Sequence, residues 1–427
     1  MKTLPRNPLL LRAVAAASRV IPALREPDLG RGGHDAYFAG LQAALKRAGV
    51  AQPTLVVDAR RLAANIAAVR QALAPTTLGL RVVTKSLPAP KLVEAVMAGA
   101  GTRRLMVFNG MMLDEIAAHF PDADVLTGRP LPAAQVADFV RRHANDPSPA
   151  ARPQWLVDSA PRLAQYAEIA RANDAPLKLS LEIDVGLHRG GVSNNAMLGQ
   201  MLDLIAANSQ QLEFAGFMGY DAHVGFGVPP ILGTPQELLA KAMGEYQGYV
   251  DFVRSQYPKL WRDDLTLNAG GSPSYPLHDQ EKISSEISTG TALLKPTHYD
   301  IATLTKHVPA VFIATPVIKA VGPIEIPALD GKSKIVSWWD VNQRDLYYIY
   351  GGFWRAEYES PKGLQFNPIL GVSANQENVS GSPATALKVN DQVFMRPEIV
   401  EGVLLQFGDL VAMRGGKIVD YWPPLSA

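Results

Sequence analysis

The stretch Leu80-Arg81-Val82-Val83-Thr84-Lys85-Ser86 reads as a short β-strand that ends on a lysine. Apolar and β-branched residues give it strand character, and Pro88 and Pro90 break the chain just beyond it. Outward from it the same pattern recurs, with strand-like runs at 80–85, 104–108, 124–127, 154–158, 177–184, 212–219, 265–268 and 283–287. Helical patterns fall between them at 89–98, 111–118, 132–143, 161–172, 195–207 and 236–256, most of them opened by Pro, Ser, Asp or Asn. Eight strands alternating with helices predict a parallel sheet, most simply closed as a (β/α)8 TIM barrel, with an open doubly wound sheet as the alternative.

The ends of the chain read differently. A strand at 54–58 leads into a helix at 61–73, and beyond residue 308 strands are expected at 311–318, 333–338, 346–349, 392–395, 404–407 and 417–421. Glycine turns such as Gly351-Gly352 and Gly415-Gly416 separate them. The expected organisation is a barrel over 59–305, with an N-terminal segment, 1–58, joining a C-terminal β-rich domain, 306–427.

Bulk properties narrow the function. The 427 residues are 47% apolar and 19% charged, a balance that supports a globular protein with more than one core. A net charge of +1 gives no basis for nucleic-acid or membrane-surface binding, and no apolar run reaches the ~18 residues of a membrane span. With Cys 0, there is no disulfide, thiolate zinc site or thiol nucleophile, so chemistry falls to Lys, His, Tyr, Ser and the carboxylates. A reducing, cytoplasmic setting is the expectation. Arg12 interrupts the apolar stretch near the N-terminus, so residues 1–23 read as a short amphipathic helix rather than a secretion signal.

In a barrel the functional groups gather where strands end. Lys85 holds that place on the first barrel strand, where partial desolvation would lower its pKa and make its amine nucleophilic towards an aldehyde. The fifth strand runs into Glu182-Ile183-Asp184-Val185-Gly186-Leu187-His188-Arg189-Gly190-Gly191-Val192. Arg189 there suits a phosphate, a carboxylate or a cofactor ring, or else an ion pair with Asp184 that shapes the loop. After the sixth strand, Tyr220 and His223 offer a phenol and an imidazole. After the seventh come Asn268-Ala269-Gly270-Gly271-Ser272, whose glycines let backbone amides approach an anion. The hydroxyls of Ser288, Thr289 and Thr291 end the eighth strand and could complete such a pocket.

Taken in this order, the segments resemble the pyridoxal-phosphate (PLP) enzymes of the alanine-racemase-like fold (fold type III), and within them the D-threonine aldolase and D-serine dehydratase (deaminase) family. The resemblance runs from about Thr54 to Asp300, and its most specific part is Glu182 to Val192, similar to that family's EIDVG-x-x-R-x-GV signature. It implies that Lys85 forms the Schiff base with the cofactor and that Tyr220 and His223 are the family's Tyr-x-x-His stretch. It further implies that Gly270, Gly271 and Ser272 bind the cofactor phosphate, with Asn268 and Arg189 in the cofactor site. The implied protein is a homodimeric lyase acting on D-configured β-hydroxy amino acids, most simply a D-serine deaminase. A D-threonine-type aldolase, an amino-acid racemase and a non-catalytic PLP-binding protein are the alternatives.

One departure stands out. Metal-assisted members of that family carry a His-x-Cys or His-x-Asp pair in the C-terminal domain, whereas the comparable stretch here, Met395-Arg396-Pro397-Glu398-Ile399-Val400-Glu401-Gly402-Val403, has neither His nor Cys. Glu398 and Glu401 could bind a hard cation, but two glutamates on a strand-rich surface are more often solvated. A divalent metal is therefore in doubt. Departure of a β-hydroxyl is then expected to rest on His223 or on an acid from the C-terminal domain.

Overall fold

A computed structural model describes residues 26–226, 231, 233–280, 282–325 and 338–426. The helix expected within 1–23 and most of the strand expected at 333–338 lie outside the described residues.

Eight parallel strands close into a barrel: β2 (Gly79–Val83), β3 (Arg104–Val107), β4 (Asp124–Thr127), β5 (Gln154–Val157), β6 (Leu177–Ile183), β7 (Leu212–Gly219), β8 (Thr266–Ala269) and β9 (Glu286–Thr289). They follow a first strand, β1 (Thr54–Asp58), that lies outside the barrel. Closure is made by β2 against β9, with Gly79 opposite Glu286 and Val82 opposite Thr289. Helices join the strands, and their starts are set by local chemistry. Asp58 accepts from the amides of Arg60 and Arg61, Asn109 from Met112 and Asn194 from Met197, each supplying a partner for amides that have none within the helix. Thr234 and Glu237 form a reciprocal capping box at the start of Pro235–Gln256.

The interior of the barrel is polar at its base and apolar above. Arg81, fully buried on β2, donates to Glu286 and Asp124 side chains and to the carbonyls of Leu105 and Asp124. Glu286 in turn accepts from Asn268 Nδ2 at 2.7 Å, and the same Nδ2 donates to Ser288 Oγ at 2.8 Å. Above this network Met106, Leu126, Leu156 and Met218 pack as a layer, with Val83 and Phe108 against them. Alternation along β2 therefore sends Arg81 and Val83 inward and Val82 towards the surrounding helices.

The chain divides into two compact units. The barrel unit comprises Val57–Val311, Glu398–Ala412 and Asp420–Ala427, and the other comprises the residues up to Val56, Phe312–Pro397 and Met413–Val419. The second unit is a β-sheet structure with β10 (Val311–Pro323), β11 (Asp345–Tyr350), β12 (Ala356–Ser360), β13 (Gln365–Phe366), β14 (Gln376–Gly381) and β15 (Gln392–Pro397). β11 lies antiparallel between β10 and β14, and β15 between β10 and β12. Phe38, from the helix Ala36–Arg47, packs its ring 5.1 Å from both Phe312 and Phe394 and anchors this core.

Two sequence expectations change here. Residues 398–412 group with the barrel rather than with the β-unit, where the sequence pattern places all of 306–427. The strand expected at 404–407 is a run of turns, because the amides of Val403 and Leu404 bond back to Val400 O and that of Gln406 to Val403 O. Local bonds consume the groups a ladder would need, and extended structure resumes only at β16 (Leu410–Arg414), followed by β17 (Lys417–Trp422).

Candidate active site

Strand β2 stops at Val83, and Thr84–Ser86 form one 3-10 turn that carries Lys85. Thr84 Oγ1 fixes the turn by bonding Met106 O at 2.9 Å and Met112 Sδ at 3.1 Å. Lys85 Nζ lies 4.5 Å from the centre of the Phe108 ring and 3.9 Å from Glu401 Oε1. Burial lowers the pKa of the amine from the usual lysine value; the Glu401 charge opposes this, while Arg189 and Arg129 reinforce it. Its side chain nonetheless keeps 43% of its surface accessible, because it opens into a cavity at the C-terminal ends of the strands.

Arg189 and Tyr220 form one wall. The loop carrying Arg189 is organised by Asp184, which accepts from the amides of Gly186 and His188 and bonds His188 Nδ1 at 2.8 Å. Asp184 thus pairs with His188, not with Arg189. Gly191 (φ +92°) lets the chain return against the strand, since a Cβ there would lie 2.9 Å from Glu182 O. The freed Arg189 guanidinium sits 4.6 Å above the Tyr220 ring. Burial raises the Tyr220 pKa and the Arg189 charge lowers it in part, so the phenol stays protonated at neutral pH.

The opposite wall is built from the turns after β8 and β9. Ser272 Oγ lies 2.9 Å from Thr289 Oγ1 and accepts from the amides of Gly290 and Ala292. Gly271 is required by close approach, as a Cβ would come within 2.5 Å of the Tyr220 ring. Its amide donates to Ser274 Oγ, and Ser274 Oγ donates to Asp221, whose other oxygen bonds His278 Nε2 at 2.8 Å. This fully buried Ser274, Asp221 and His278 set ties the turn after β8 to the residue following Tyr220. Asn268 closes the floor of the cavity.

Ten of the residues expected at a site therefore line one cavity: Lys85, Arg189, Tyr220, Asn268, Gly270, Gly271, Ser272, Ser288, Thr289 and Thr291. His223 does not line it. It lies in the turn Ala222–Gly225 with Nε2 against Gly186, and burial lowers its pKa, which makes it a poor proton donor at neutral pH. Among the polar lining residues, Tyr299 carried no site assignment in the sequence, and Glu401 carried none as a member of this cavity. Tyr299 ends the 3-10 turn Thr297–Tyr299, remote from any strand end, and burial raises its pKa, with the Tyr220 and Glu401 neighbours adding to that. Glu401 belongs to the stretch compared with metal-binding segments, but its side chain meets Lys85, Ser86 and Thr291 instead of other acids. Among the described residues no group of three or more His, Cys, Asp or Glu side chains is placed to hold a metal ion. A donor set of one carboxylate beside an amine does not fit a divalent cation.

A nucleophilic amine, an aromatic wall under a guanidinium and an amide- and hydroxyl-lined turn suit a flat, phosphorylated aldehyde held at a barrel mouth. The barrel provides the class; the sequence provides the family. Residues 57–296 match the family described as alanine racemase, N-terminal domain, and the chain belongs to that family. No curated protein sequence matches the chain. Among solved structures, the D-threo-3-hydroxyaspartate dehydratase of Delftia sp. HT23 superposes with TM-score 0.70 at 14% identity, covering 88% of this chain and 97% of that one. The D-threonine aldolase of Filomicrobium marinum gives 0.68 at 16% identity (87% and 96%), and the alanine racemase of Bacillus anthracis gives 0.65 at 14% (87% and 98%). At such identities these likenesses establish the fold.

Proposed function

We propose that this protein is a PLP-dependent lyase acting on D-configured β-hydroxy amino acids, with D-serine deamination to pyruvate and ammonia as its reaction. The observation that carries the reading is the Lys85 amine, partly desolvated, facing the Arg189–Tyr220 wall and the Gly270-Gly271-Ser272 turn across one cavity. When bound, the cofactor supplies an electron sink for the pair released at the substrate Cα.

The chain's own residues do the rest. Ser272 and Thr289, with the Gly290 amide beside them, would hold the cofactor's phosphate, and Tyr220 would supply an aromatic wall for its ring. Arg189, held above Tyr220, directs its remaining donors at an anionic group on the ring or the substrate carboxylate. Val83, Met106, Phe108 and Met218 keep water from the floor. Lys85 Nζ, whose lowered pKa keeps more of it neutral than a surface lysine, accepts the proton from Cα. We further propose a homodimer, checked by sedimentation of the purified chain.

The test is a panel of D-amino acids followed by product analysis, with and without chelator. Pyruvate from D-serine, unaffected by chelator, supports the reading. Glycine and acetaldehyde from D-threonine would move it to an aldolase. Racemisation of alanine without keto-acid release would move it to a racemase, and no product from any substrate would overturn it.

A further inference from the structure

Loss of a β-hydroxyl needs a proton for the departing oxygen, and neither a metal site nor His223 is placed among the described residues to help it. Glu401 is. It comes from the segment Glu398–Ala412 of the barrel unit and lines the cavity together with Lys85, Tyr220 and Tyr299. Ser86 Oγ donates to its Oε1 at 2.8 Å and Thr291 Oγ1 at 3.4 Å, and Lys85 Nζ lies 3.9 Å from the same oxygen. Among the described residues the hydrogen bonds to Glu401 fall on Oε1, and its side chain, 32% exposed, lines the cavity. Oε1 is thus held by Ser86 beside the lysine, with Thr291 bonded to Ser86 Oγ at 2.7 Å, and the carboxyl group stands on the cavity lining.

We propose that Glu401 is a catalytic residue that carries a proton from Lys85 to the leaving hydroxyl of the substrate. The inference rests on the lyase reading above. The Cα–H bond breaks as its proton passes to Lys85 Nζ, and its electron pair becomes the second bond between Cα and Cβ. The Lys85 ammonium passes this proton to the Glu401 carboxylate. The Cβ–O bond breaks with its pair on oxygen, which takes the proton from Glu401 and departs as water, leaving Lys85 neutral and Glu401 a carboxylate as at the start. No proton is gained or lost overall, and neither an oxidant nor a metal is required. The released enamine then tautomerises and takes up one water to give pyruvate and ammonia.

The alternative role for Glu401 is to neutralise Lys85 and anchor Ser86. Glu401→Gln separates the two, because its amide oxygen still accepts from Ser86 and Thr291 but cannot relay a proton. In the holoenzyme, D-serine deamination is expected to fall by about 10²–10⁴-fold, the range for loss of a positioned acid or base. Elimination from β-chloro-D-alanine, whose chloride departs without a proton, stays within a few-fold of the wild type. The resting absorbance of the lysine-bound cofactor and its trapping by borohydride persist. In deuterium oxide, unreacted D-serine gains deuterium at Cα faster than pyruvate appears, because proton removal continues while the hydroxyl stays. Glu401→Asp restores part of the D-serine rate. Equal losses for the two substrates, no deuterium in recovered D-serine, or an undiminished D-serine rate would each overturn the proposal. Wild-type protein that eliminates neither leaving group would instead overturn the lyase reading itself.

Discussion

Removing one partner of the buried Arg81–Glu286 pair should unfold the barrel more readily than removing both. Arg81 is fully buried and Glu286 is 2% exposed, so neither charge has water to turn to. Arginine has five N–H donors, and here all have acceptors: Nε on Glu286, Nη1 on the carbonyls of Leu105 and Asp124, and Nη2 on Asp124 Oδ2 and Glu286 Oε2. Glu286→Leu leaves the guanidinium with the Leu105 and Asp124 carbonyls and, as its charged partner, the Asp124 side chain, which is 44% exposed, and strands Asn268 Nδ2 with one partner fewer. Breaking a buried pair from one side costs about 3–5 kcal/mol, and we expect that loss for Glu286→Leu and for Arg81→Met. The double substitution removes both charges, so its cost should fall below that of either single, and hence below their sum by at least about 3 kcal/mol. Urea unfolding followed by far-ultraviolet circular dichroism measures all four proteins. Single losses under about 1 kcal/mol, or strict additivity, would show that the two charges do not compensate each other inside the barrel.

Gly271→Ala forces a methyl group against the Tyr220 ring at 2.5 Å, and overpacking of this kind costs about 1–3 kcal/mol. The melting temperature should fall, and cofactor affinity by spectral titration should fall further because Tyr220 is displaced; unchanged values of both would place the turn elsewhere. His307 is held neutral, its pKa lowered to about 4 chiefly by burial and then by the Lys295 charge. Its folded value lies below its unfolded one, so the unfolded state binds the extra proton as the pH drops. Stability should be whole above about pH 6.5 and decline by up to about 3 kcal/mol as pH falls towards 4. The decline attributable to this group, measured by denaturant titration across that range, should vanish in His307→Gln.

Much of this architecture was legible because its signals are local. Seven of the eight barrel strands begin within two residues of their expected starts, since the punctuation lies in neighbouring residues such as Asn109, Asn194 and Thr234. The eighth begins at Glu286 rather than 283. Lys85, Arg189, Tyr220 and the Gly270-Gly271-Ser272 turn were legible for a related reason: a barrel converts the ends of successive strands into one rim. What escaped depends on distant pairing. Arg81 is an anomaly in an apolar strand whose resolution, Glu286, lies 205 residues away. Glu401 reaches the cavity because a C-terminal segment groups with the barrel, and Tyr299 reaches it from beyond the last barrel strand. His223 lies three residues beyond the cavity residue Tyr220 in sequence, yet the turn Ala222–Gly225 carries it away from the lining.

The most direct measurement is to reduce the purified holoprotein with borohydride, digest it and locate the pyridoxyl group by mass spectrometry. The group is expected on Lys85, with the bound-cofactor absorbance lost in Lys85→Ala. A pyridoxyl group on any other lysine, or an absorbance that survives Lys85→Ala, would contradict the assignment of Lys85 as the residue that holds the cofactor.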